Sequence, residues 1–137
     1  LGDVYKRQVW TDAFYQFTDL GDYAYSVLSV SQSTIRNDPE TVQHFVNAML
    51  KSLSAAQDKK TAVRAAGKEF PTTPAEDIEA AIDRAYKDGL WSVDGIIKPE
   101  AVKNDMEVSI ASDVYQGTYQ YDELVDMQFV ENAQKQN

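Results

Sequence analysis

The chain has 137 residues, of which 43% are hydrophobic and 26% charged. This is globular composition for one ordinary domain, which excludes wholesale disorder. Thirteen Lys and Arg face 22 Asp and Glu, for a formal net charge of −9. That balance is the reverse of what a non-specific nucleic-acid binder or an anionic-membrane binder needs. Cysteine is absent, so disulfides, thiolate metal sites and cysteine nucleophiles are excluded. No apolar run approaches the roughly 20 residues that span a bilayer.

Residues Leu1 to Gln8 read LGDVYKRQ, with no initiator Met and no periodic pattern leading onward. The string resembles a translated sequencing adapter and is set aside from fold reasoning as a non-native leader. On that expectation the native sequence starts near Val9, with any signal or lipoprotein segment upstream. Setting the leader aside removes Asp3, Lys6 and Arg7 and leaves the acidic balance intact.

In chain order, Gly21-Asp22 reads as a turn, and Tyr25 to Val30 as a β-branched-rich strand. Asp38-Pro39-Glu40 opens a long helix, with Asp38 as cap and Pro39 at the first position, where a missing N–H costs nothing. Val42, Phe45, Val46, Met49, Leu50 and Leu53 form one apolar face. Running to Gln57, this helix would be about 28 Å long. A second helix covers Lys59 to Glu69, with a small-residue face and Pro71 as its stop.

Thr73-Pro74-Ala75-Glu76 predicts a capping box with Thr73 as cap, opening a helix that Gly89 closes. A fourth helix is expected from Pro99 to about Gln116, with Val102, Met106, Ile110 and Val114 four residues apart and Gly117 as its end. The last helix is expected from Asp122 to about Ala133. A lone strand among five helices cannot pair its own backbone groups, so the pattern points to part of a larger α/β protein whose sheet lies upstream.

Few residues suggest chemistry. His44 is the sole histidine and has no second His at i+4, so a His-based metal site or triad has little support. Asp77, Glu79, Asp83 and Asp88, then Asp122, Glu123 and Asp126, read as solvated helix faces. No Asp-x-Asp-x-Asp-Gly loop accompanies them. No Gly-rich phosphate loop, Gly-x-Ser-x-Gly elbow or His-Glu-x-x-His is present. Trp10, Phe14, Tyr15, Phe17, Tyr23 and Tyr25, interleaved with Asp12, Asp19 and Asp22, have the composition of an aromatic cleft wall for a small organic or cationic ligand. Packing along the strand edge is the alternative.

Several segments together carry a family resemblance. They are Phe17-Thr18-Asp19-Leu20-Gly21-Asp22-Tyr23, the strand to Val30, Asn37-Asp38-Pro39-Glu40-Thr41-Val42, Phe45-Val46-Asn47-Ala48, Tyr121-Asp122-Glu123-Leu124-Val125-Asp126 and Phe129-Val130. Their order and spacing resemble the C-terminal part of extracytoplasmic solute-binding proteins of the thiamine-pyrimidine, nitrate, sulfonate and taurine type, which serve ABC importers. The likeness covers nearly all of Phe14 to Ala133. It implies an α/β fold of the type II periplasmic-binding-protein class, present here as a mostly helical part with one or two strands. The strand near 25–30 would belong to the crossover, and the following helices would pack on the first lobe.

The resemblance further implies a monomer, periplasmic or membrane-anchored outside the cytoplasm, that binds a small-molecule solute, docks on permease subunits at the membrane, and needs no cofactor or catalysis. Asp22 and Tyr23 are the residues it places near ligand. The family's Gly-containing segment late in the fourth helix reads here Asp113-Val114-Tyr115-Gln116-Gly117, a departure that leaves the subfamily open. Two rival readings stand beside it. One is a thiamine-pyrimidine-synthase-like enzyme of the same fold, which would need a reactive His better placed than His44. The other is a self-contained helical interaction domain.

Overall fold

The computed structural model describes residues 22–24 and 26–135. Seven helices lie among them: α1 Gln32–Asn37, α2 Pro39–Ala55, α3 Lys59–Glu69, α4 Ala75–Lys87, α5 Pro99–Ala111, α6 Tyr121–Leu124 and α7 Gln128–Lys135. The chain divides into two compact units. One joins the segment ending at Ser29 to Ile97–Asp126, and the other joins Val30–Ile96 to Met127–Asn137.

The second unit holds α1 to α4 and α7. Helix α1 was not legible in advance, because none of its six residues is buried and it offers no apolar stripe. Ser31 opens it, its Oγ accepting the Thr34 N–H at 3.1 Å. Asp38 then serves two helices. Its N–H donates to the Thr34 carbonyl at 2.8 Å, and its carboxylate accepts the Thr41 N–H at 3.2 Å to open α2. Pro39 takes the first helical position as the sequence predicts.

Helix α2 packs along α7, which buries Phe129 and Ala133. The Gln43 Nε2 donates to the Phe129 carbonyl at 2.8 Å and to Asn47 Oδ1 at 2.9 Å. The apolar face of α2 spans about 140° at 100° per residue. Val42 is buried and Val46, Leu50 and Leu53 are half-buried, whereas Phe45 and Met49 on the opposite edge stay 51% and 44% exposed. Packing on the Gln43 side is what leaves that edge uncovered.

Helices α3 and α4 form a hairpin around Ala62, Ile78 and Ile82, with Val63, Ala66, Tyr86 and Trp91 against them. Asp58 caps α3 by accepting the Thr61 N–H at 2.9 Å. Tyr86 meets the Trp91 ring edge-on, with centroids 5.4 Å apart, and its hydroxyl donates to the Ala56 carbonyl. On the exposed side of the hairpin, Lys59 of α3 pairs with Glu79 at 3.2 Å and Asp83 at 2.7 Å of α4. The start of α4 departs from expectation. Pro74, not Thr73, is the cap residue, and no side chain caps the helix. The Pro74 carbonyl accepts from both Asp77 and Ile78 at 3.1 Å, so the backbone alone starts the turn.

The end of α4 follows the expected Gly exit in full. Gly89 takes φ +60°, its N–H donates to Tyr86 O, and Leu90 N–H donates to Ala85 O. This is a Schellman closure, and it turns Trp91 back onto the hairpin. Beyond it Ser92 Oγ accepts the Gly95 N–H at 2.8 Å and Asp94 Oδ1 accepts the Ile96 N–H at 2.9 Å. The bend seats Gly95 directly on α2 and α7. A Cβ there would lie 2.5 Å from Leu50 Cδ2 and 3.8 Å from Val130 Cγ1.

The first unit holds α5 and α6. Ala101, Val102 and Met106 of α5 are buried. The helix stops at Ala111, short of the expected Gln116. Asp113 at φ +59° makes the same closure as Gly89, with its own N–H to Ile110 O and the Val114 N–H to Ser109 O. The expected four-residue stripe therefore fails at its far end. Steps of four drift about 40° each around a helix, leaving Ile110 45% exposed, and Val114 lies past the closure at 80%. The predicted last helix is likewise split. Val125 is extended, at φ −125° and ψ 126°, separating α6 from α7.

The expected strand near 25–30 is not formed among the described residues. Residues 27–30 are non-helical and unpaired in any ladder, and Val27 and Leu28 are half-exposed. A strand exists only by exchanging backbone bonds with a neighbour, and no described segment supplies one.

Two outcomes test these packing statements. Gly89→Ala should cost about 1 kcal/mol in urea unfolding, because nothing lies near its Cβ and only the left-handed backbone is penalised. Gly95→Ala should cost about 2 kcal/mol or more, since crowding against Leu50 adds to the same penalty. Equal costs would refute the seating of Gly95. Hydrogen bonds from Thr41 and Thr61 hold the Asp38 and Asp58 carboxyls below the ordinary value of 3.8. Their contribution is complete above 3.8 and is lost as pH falls through the depressed folded values, where the unfolded chain binds more protons. The Asp38→Asn/Asp58→Asn double variant should thus lose less melting temperature than the parent between pH 5 and pH 2.5. Parallel acid limbs would contradict the cap assignment.

Candidate functional site

Asp22 and Tyr23, the two residues expected near ligand, precede the non-helical residues 26–29 of the first unit. Helix α5 positions the first of them. Lys98, the residue before Pro99, places its Nζ 2.8 Å from Asp22 Oδ2. Asn104, in the second turn of α5, donates from Nδ2 to the Asp22 carbonyl at 2.8 Å. One side chain thus grips the carboxylate and another the backbone. The pair is more than half exposed on both sides, so it orients the residue without adding much stability. Tyr23 is half-buried beside it.

Sequence reasoning did not single out Lys98 or Asn104. They lie 76 and 82 residues from Asp22, and no local pattern links them to it. The same unit contains a half-buried polar anchor. The Tyr121 hydroxyl donates to the Ile97 carbonyl, one residue before Lys98. Burial, and secondarily the charge of Asp122, pushes its phenol above the ordinary value of 10.0, so it stays a donor. Glu123 reaches back to the Gln120 N–H at 3.2 Å, which fixes the start of α6.

The other sequence candidates separate. Trp10, Asp12, Phe14, Tyr15, Phe17, Asp19 and Tyr25 lie outside the described residues. His44 is exposed on α2. Glu79 and Asp83 are engaged by Lys59, whose ammonium is pushed above its ordinary value of 10.5 by its hydrogen bonds to Asp83 first and Glu79 second. Among the described residues no three His, Asp or Glu side chains come together as a metal site, and no buried side-chain polar atom lacks a partner. None of the described helices is long and apolar enough to cross a membrane. The arrangement around Asp22 holds its carboxylate with an ammonium and its backbone with an amide. Among the described residues it brings together no nucleophile–base pair.

No protein-family model, curated protein or solved structure matches this chain.

The tether at Asp22 is directly testable. Asn104→Ala should accelerate amide exchange in the peptide covering residues 22–30, and Lys98→Ala should change global stability by less than about 1 kcal/mol. Unchanged exchange in Asn104→Ala would show that the segment is held by something else.

Proposed function

We propose that the chain is the C-terminal part of an extracytoplasmic solute-binding protein of an ABC importer, with the type II α/β fold. Its solute belongs to the thiamine-pyrimidine, sulfonate/taurine or nitrate class. The observation that carries this reading is where the chain changes unit. It does so between Ser29 and Val30, between Ile96 and Ile97, and between Asp126 and Met127. All six residues are non-helical. The first of these points coincides with the crossover that the resemblance puts near Val30. A two-unit chain joined through several non-helical passages is what a ligand-operated open–closed equilibrium requires.

Uncovered apolar surface supports the same reading. Phe45 and Met49 on α2 of one unit, and Val27 and Leu28 of the other, are apolar residues left 44–51% exposed. In this reading the protein is a periplasmic or membrane-anchored monomer, its partners are the solute and the permease subunits, and no covalent step occurs. Asp22 and Tyr23 supply polar and stacking contacts, with Lys98 and Asn104 holding Asp22 in place. A second reading, a self-contained helical interaction domain, is favoured by the lack of any strand among the described residues.

The experiment is thermal-shift binding on the protein expressed from the complete parent reading frame, against thiamine pyrimidine, taurine, alkanesulfonates and nitrate. A solute at 100 times its Kd should add about 2.7 kcal/mol of stability. Asp22→Asn should weaken that solute's binding without lowering the melting temperature of the free protein. The proposal fails if no solute of these classes shifts the melt. If, in addition, the 137-residue chain melts cooperatively by itself, the helical interaction domain takes its place.

A further inference from the structure

We draw no further inference here: the strongest candidate, the half-exposed Phe45–Met49 edge of the long helix α2, is an unpartnered apolar face, and nothing in the structure shows what covers it.

Discussion

Helix ends are the constraint on which the rest of this structure depends. Every helix leaves N–H and carbonyl groups without intrahelical partners at its two ends, and none of the described side chains is fully buried to compensate a poor terminus. The chain meets the demand with short, local devices. Asp38 closes α1 and opens α2, Asp58 opens α3, and Gly89 and Asp113 close α4 and α5 by the same pair of backbone bonds. These closures also set direction. The turn at Gly89 returns Trp91 to the α3–α4 hairpin, and the bend that follows brings Gly95 onto Leu50. Within that unit the loop after α4 therefore touches both the hairpin and the α2–α7 pair.

In the other unit the determining contacts are polar and reach far along the sequence. The Tyr121 hydroxyl on the Ile97 carbonyl fixes the residues just ahead of α5, and Lys98 and Asn104 then hold Asp22 from both its carboxylate and its backbone. A donor with a raised pKa suits this task, because it holds its proton throughout the neutral range.

Local signals were legible where the deciding interaction is local. The limits of α3, the Asp38-Pro39 start of α2, the Pro99 start of α5 and the Gly89 exit could all be read from neighbouring residues, because caps and closures involve groups a few positions apart. Errors arose where two local solutions compete. Thr73 and Pro74 both offer a start for α4, and the backbone solution at Pro74 prevails. Asp113 and Gly117 both offer an end for α5, and the left-handed turn at Asp113 comes first, since Asp tolerates that conformation. Periodicity also misled over Ile110 and Val114, because a four-residue repeat drifts off any single face.

By itself the sequence determined a mostly helical chain, the composition of each helix face, and an acidic, cysteine-free character. Those follow from backbone propensity, hydrophobic spacing and charge, which are properties of short stretches. Tertiary structure decided which edge of α2 is covered, that the last helical pattern breaks at Val125, that Gly95 must be small, and that Lys98 and Asn104 meet Asp22. It also left residues 27–30 without a ladder. Apart from the break at Val125, whose backbone bond to Tyr121 is local, the physical reason is common. Each of the others depends on a partner distant in sequence, and neither hydrophobic period nor capping grammar carries information about which distant group will be there.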